Sequence, residues 1–444
     1  MASSKWSREL IKARRSTGLS KKVRQLQGGN ARFGMQQRFR PLGIPHRRVV
    51  VGGRARRTLP TFDRLFPPPG SSSYRHLTTQ RRRSGVQETF YNLVGPRFHC
   101  ENLSEEDCCV LSEIFFGQFT ESTFGPNWVN QRFNFRPTNS AAPFGLVQHT
   151  NEPSGAVAAV QAVMLNTLLW GDGVRCSDKR KKLAATKSQR RAALISAIVE
   201  MFERAASGTC GQYQYVLGQV EPFAPGASAF ASLVVYDIEP EHFKPFLIGN
   251  YTQFEDGGVV NLLVSLALTR GLPNVQKDLQ YEGALLTTSK GGLDASQESI
   301  NLILTGAAVG GTFSAQDHPA DVEGIAGQST YGYLTPRGTS EHEVGSHLLN
   351  PKLPVWVAHH DGKYSVLFSP TIEPFTSRLG WFFHLCHYDA SVDALEPFSV
   401  YEVDLHIKSD GRFDTNNIFE CIRLRWPDAT IRATFGVTVE HYIL

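Results

Sequence analysis

Apolar residues recur at helical spacing in the first part of the folded region and alternate in the last part. "LSEEDCCVLSEIFFG" (103–117) opens with Ser104, follows with three acids, then turns apolar; this is the signature of a capped amphipathic helix. "GAVAAVQAVMLNTLLW" (155–170) is apolar on nearly every side, which predicts a helix buried at the centre of the fold. "SQRRAALISAIVEMFERAA" (188–206) predicts an amphipathic helix. "GGVVNLLVSLALTRGL" (257–272) and "SQESINLILTGAAVGG" (296–311) predict two more buried ones, each ending near glycine. Further on, "LPVWVAHHDGKYSVLFSP" (353–370) sets two apolar runs around Asp361-Gly362, the pair favoured in two-residue type I′ hairpins. That register pairs His360 with Lys363 and puts both side chains on one face. "FSVYEVDLHIK" (398–408) and "DATIRATFGVTVEHYIL" (428–444) predict further strands. Helices first and sheet later make an α+β domain, and no internal repeat is visible.

Residues 1–88 do not fit this pattern. They are rich in Arg, Gly, Pro and Ser and hold one plausible short helix, "KWSRELIKARR" (5–15). Such a segment cannot bury a core, so the expected organisation is an extended basic arm (1–88) and a folded domain (89–444). Charge separates the two as well. Residues 1–85 carry 21 lysines and arginines against Glu9 and Asp63, a net of +19; the rest carries 25 basic and 39 acidic residues, a net of −14. The overall +5 conceals this opposition. The densest basic positions are Arg47, Arg48, Arg54, Arg56, Arg57 and Arg81, Arg82, Arg83. An arm of this kind fits an acidic partner: a tubulin surface, or RNA. Tubulin is favoured, because the acidic body would be repelled by RNA and no RNA-binding motif with interleaved aromatics is present.

The seven cysteines are odd in number and scattered, which argues against a disulfide framework and for a reducing compartment. No Cys/His spacing suggests a metal site, and no cofactor motif is found; "HH" (359–360) and "CHY" (386–388) are isolated. No apolar run reaches the length of a membrane span. The expected location is cytoplasmic, extending to a flagellar or ciliary axoneme. The basic N-terminus leaves a mitochondrial location as the alternative.

Candidate chemistry lies in "PFGLVQHTNEPSGAVAAVQA" (143–162). Gln148 precedes Ser154 by six residues, and Ser154 stands at the start of the central helix, where a helix favours anions. A papain-like peptidase needs such parts: a nucleophile on a helix start, an upstream glutamine for the oxyanion, and a base from a later hairpin. Read more plainly, Ser154 is a helix N-cap worth about 1 kcal/mol. Gln148 then bonds loop backbone, and Lys363 and His360 are ordinary hairpin residues.

The blocks "PFGLVQ…GAVAAVQA" (143–162), "GGVVNLLVSLALTRGL", "INLILTGAAV" (300–309), "LPVWVAHHDGKYSVLF" and "IRLRWPDATI" (422–431) together resemble the MINDY family of cysteine deubiquitinases, in the branch of its third and fourth members. The likeness runs collinearly over about 88–444 and implies a papain-like fold that cleaves isopeptide bonds in polyubiquitin. The family's nucleophile motif looks like Gly-Gly-Pro-Cys-Gly. Here Asn151-Glu152-Pro153-Ser154-Gly155 stands in its place. By that resemblance Gln148 matches the oxyanion glutamine, Ser154 falls on the nucleophilic cysteine, and Lys363 falls on the histidine.

These departures strike the chemistry. A serine hydroxyl is a far weaker acid than a thiol of pKa about 8.5 and needs a well-placed base. A half-exposed lysine, at roughly pKa 10.4, stays protonated. Glu152 sets a negative charge beside the nucleophile, and Asn151 and Glu152 replace two conformationally free glycines. The sequence therefore predicts an inactive family member, a pseudoenzyme acting as a structural or adaptor protein, anchored by its arm in a microtubule or axonemal assembly. Two alternatives remain at this point. One is an active deubiquitinase using a Ser154–Lys363 dyad or His360 as substitute base. The other is a non-catalytic ubiquitin binder, whose acidic body complements the basic face of ubiquitin.

Overall fold

The computed structural model describes residues 98–443, apart from 119–121, 151, 172–177, 208, 210, 281–282, 290–291, 318–323, 338–343, 376–381, 410–416 and 435. The arginines of the basic arm, the helix expected over 5–15, and Asn151 lie outside the described residues.

The chain runs β1 (His99–Asn102), α1 (Glu105–Phe116), α2 (Ser154–Trp170), α3 (Lys187–Ala205), β2 (Tyr213–Leu217), β3 (Val234–Ile238), α4 (Tyr251–Arg270), β4 (Leu286–Ser289), β5 (Gly292–Ala295), α5 (Gln297–Thr305), β6 (Gly332–Leu334), β7 (Val355–His360), β8 (Lys363–Phe368), β9 (Phe382–Tyr388), β10 (Phe398–Lys408), α6 (Asn417–Arg425) and β11 (Ala429–Thr434), with further helices between. Helix boundaries follow local chemistry. Ser104 caps α1 by accepting the Asp107 amide, Thr186 and Gln189 form a capping box on α3, and Ser296 caps α5. Helix α5 ends on Gly306 at φ 85°, a left-handed conformation that glycine adopts without strain.

Helix α2 is the hub. It is buried on every side because every side has a partner: α3 and α5, and the hairpin strands β7 and β8. That is why its sequence shows no polar stripe. The sheet beside it has the order β11-β10-β9-β8-β7-β6, antiparallel except for the parallel β6–β7 pair. Alternation sorts its side chains. Val355, Val357, Val366, Phe368, Cys386, Tyr388 and Val400 face the α2 core. Trp356, Ala358, Leu367, Phe383, Leu385 and Val403 face away and are covered by Ile418, Cys421 and Ile422 of α6 with Trp426. The β7–β8 turn has Asp361 at φ 52° and Gly362 at φ 70°, as a type I′ turn requires, and His360 pairs with Lys363 as expected.

The α+β class stands, with three differences from the sequence reading. The sheet is not confined to the end of the chain: β1, β3 and β2 form an early three-stranded sheet, and β4 and β5 a separate hairpin. The final segment is a strand to Thr434 followed by a short helix, Val439–Ile443, rather than strand throughout. Helix α4 begins before Gly257 and kinks at Gly258 (φ 60°), where a Cβ would lie 2.2 Å from the Gln131 carbonyl oxygen. Among the described residues no single helix is long and apolar enough to cross a membrane.

Candidate active site

The segment entering α2 is fixed from several directions. The Leu146 amide donates to Oε1 of Gln161 on α2 at 2.7 Å, and the Tyr388 hydroxyl of β9 donates to the Leu146 carbonyl at 2.5 Å. Gly145 is needed for this approach, since a Cβ there would fall 2.1 Å from the Tyr388 ring. Gln148 pairs with the loop after β9: its amide donates to the Ala390 carbonyl (2.8 Å) and its carbonyl accepts from the Val392 amide (2.8 Å). Arg136 locks that loop, donating to the Tyr388 hydroxyl (3.0 Å) and to the carbonyls of Asp389 (3.2 Å) and Ser391 (2.5 Å).

Within this frame the Gln148 side chain is buried, and its Nε2 donates to the Thr150 carbonyl at 2.6 Å. The amide sequence-matched to the oxyanion role is thus engaged with loop backbone.

Ser154 is also buried, but it does not cap the helix. Pro153 holds the N-cap position, without a side-chain cap bond, and Ser154 is the first helical residue. Its hydroxyl donates to Oδ2 of Asp294, on β5, at 2.9 Å. The Ala295 amide donates to Oδ1 of the same carboxylate at 2.7 Å, and the N–H groups of Ser154 and Gly155 act to lower its pKa. The hydroxyl expected to cap the helix is thus bonded to a carboxylate from 140 residues downstream. Burial raises the Asp294 pKa, and the hydrogen bonds from Ala295, Ser154 and Gly155 oppose that rise.

Glu152 is 5% exposed, and its carboxylate lies against the backbone of β5: a Cβ built on Gly292 would stand 2.9 Å from Oε2. The acid that the sequence set beside the nucleophile position thus places its carboxylate at Gly292, two residues before Asp294 on β5.

The hairpin presents other residues than those expected. Tyr364 packs on the helix start, with a ring carbon 3.3 Å from where a Gly155 Cβ would be. The His359 ring stacks on Tyr364 at 4.2 Å. Lys363 is exposed, and by alternation it shares a face with Ser365, opposite to Tyr364. His360 turns to that same far face, its Nε2 3.1 Å from the Ser365 hydroxyl and its Nδ1 3.3 Å from Asp361. A Ser154–Lys363 dyad and a His360 base both require the other face of the strands. Burial, and then the neighbouring His360, push the His359 pKa down, which keeps that imidazole neutral. Among the described residues no imidazole hydrogen-bonds to Ser154, and no cluster of three His, Cys, Asp or Glu side chains could hold a metal.

Two residues of the site were missed in the sequence. His359 was passed over for its neighbour, and Asp294 lay unread just before a predicted helix. The only signal for Asp294 was an acid bracketed by Leu293 and Ala295 in an apolar setting.

The conserved domain of deubiquitinating enzyme MINDY-3/4 matches residues 112–434. A Xenopus tropicalis protein, probable ubiquitin carboxyl-terminal hydrolase MINDY-4, is 29% identical over 343 residues, which is 72% of this chain and 44% of its own length. The Homo sapiens protein of that name is 28% identical over 352 residues, 73% of this chain and 45% of its own. Homo sapiens ubiquitin carboxyl-terminal hydrolase MINDY-3 is 24% identical over 272 residues, 54% of this chain and 59% of its own. The chain spans about half the length of the curated relatives it matches. No solved structure matches. On the extent of the domain match, the chain belongs to the MINDY-3/4 family of deubiquitinating enzymes.

Proposed function

We propose that this chain is a catalytically inactive member of its family, kept for the shape and surface of the deubiquitinase fold. One observation carries the reading: the hydroxyl at the nucleophile position is held by a buried carboxylate, with no imidazole or amine in contact with it among the described residues. A serine nucleophile must pass its proton to a base and then build an oxyanion beside it. Next to ionised Asp294 that second negative charge is repelled. Two unit charges about 4 Å apart interact by roughly 4 kcal/mol at an effective dielectric of about 20, which corresponds to about a thousandfold in rate. Losing the sulfur adds to this, because a hydroxyl is much harder to ionise than a thiol. Incubation of the full chain with a ubiquitin–fluorophore conjugate tests the reading. No release above buffer is expected; release that disappears in Ser154→Ala would establish the active alternative.

The arm supplies the anchoring half of the proposal. A net of +19 over residues 1–85 suits an acidic partner, with tubulin in a microtubule or axonemal assembly preferred to RNA. Salt-dependent co-sedimentation with microtubules and with RNA separates the two. A second reading, non-catalytic ubiquitin binding, is favoured by the net −14 of the remainder and is tested by titrating the full chain with ubiquitin.

A further inference from the structure

We infer that Asp294 permanently occupies the anion position at the start of α2, so that the site is closed by a charge as well as by the exchange of sulfur for oxygen. The inference deepens the inactive reading and rests on it.

The start of a buried helix offers unpaired amides and positive potential, which is what a nucleophilic anion at position 154 would use. In this chain a carboxylate already stands at that position: the Ser154 hydroxyl donates to Asp294 at 2.9 Å, and the N–H groups of Ser154 and Gly155 act to lower its pKa. Pro153 stands at the N-cap and makes no side-chain cap bond, and Asp294 brings a carboxylate to the helix start from a distant strand.

The carboxylate is also held in place. On its own strand the Ala295 amide donates to it, and the preceding Leu293 carbonyl accepts from the Trp128 indole at 2.6 Å. Gly292 lies under the Glu152 side chain, and Ala295 and Ile300 pack where a Gly155 side chain would begin. Asp294 is 7% exposed, so no water shell is available to a displaced carboxylate.

Among the described residues, the other titratable groups around the helix start offer no compensating cation. Glu152 comes from the entering loop, and Tyr364 from β8, held in its neutral form by burial. His359 from β7 is stacked on Tyr364 and biased to the neutral imidazole by burial. Glu298 of α5 adds a further negative charge acting on Tyr364. Lys363 and His360 are on the far face of the hairpin.

The test needs no substrate, so its failure is distinct from failure of the functional reading. Ser154→Cys is made in the full chain, and the introduced thiol is titrated by the difference in thiolate absorbance from the parent. With Asp294 present the thiol is expected to ionise above the ordinary value of about 8.5. Adding Asp294→Asn should lower that midpoint by roughly three pH units, because the repelling charge goes and the helix start is released. Asp294→Ser, which keeps a capping oxygen without charge, should act likewise and serves if the asparagine variant does not fold. An introduced thiol that ionises well below 8.5 with Asp294 intact overturns the inference. So does a midpoint that neither Asp294 substitution moves.

Discussion

Removing the Ser154 hydroxyl separates a pair with a buried anion from an ordinary helix cap. In the structure the hydroxyl donates to a carboxylate that is 7% exposed, at 2.9 Å. A hydrogen bond to a charged group contributes about 1.5–3 kcal/mol, and Asp294 keeps its backbone donors, so Ser154→Ala should cost about 2 kcal/mol at neutral pH. The pH dependence is the sharper part. The Ser154 bond acts to lower the Asp294 pKa, so its contribution is present while Asp294 is ionised and fades as the pH falls through the folded-state pKa. Burial, the larger influence, puts that pKa above the usual aspartate value, so the fading begins at higher pH than for an exposed aspartate. Urea denaturation of the full chain and of Ser154→Ala, run as a series from neutral to acid pH, reads the difference directly. A gap of about 2 kcal/mol at neutral pH that narrows on acidification is expected. A gap that holds constant across the series would refute the charged-pair argument and return Ser154 to a simple cap, worth about 1 kcal/mol.

Three further outcomes follow. Lys363→Ala should change stability by less than about 0.5 kcal/mol in the same denaturation assay, because the side chain is exposed on the face away from α2; a loss of several kcal/mol would show it engaged at the site. Arg136→Ala should cost about 3 kcal/mol, since it removes a buried donor to the Tyr388 hydroxyl and to two carbonyls of the loop that holds the Gln148 segment, and a cost below 1 kcal/mol would contradict that role. Deleting residues 1–88 should abolish salt-sensitive co-sedimentation with microtubules, and undiminished sedimentation of the shortened chain would place the contact elsewhere.

The sequence made the hairpin turn and its pairing legible, because Asp361-Gly362 admits positive φ at both positions and so fixes the register. It did not reveal which face of that hairpin meets α2. Strands β7 and β8 are buried on both faces, with Val355, Val357 and Phe368 on one side and Trp356, Ala358 and Leu367 on the other, so no polar alternation marks the inside. His360 and Lys363, named from the sequence, share the face opposite to His359 and Tyr364. The central helix was legible from its unbroken apolar composition, and its start from Pro153-Ser154. The partner of Ser154 was not, because the contact spans 140 residues and Asp294 lies in a four-residue strand too short to announce itself. β2 and β3 escaped notice for the same reason, at five residues each.

The most direct test of the account is prolonged incubation of the full chain, at stoichiometric concentration, with polyubiquitin chains, beside Ser154→Ala as control. The account predicts intact chains in both samples. Cleavage by the native chain that is lost in Ser154→Ala would show that Ser154 performs chemistry despite Asp294, and would contradict the central claim.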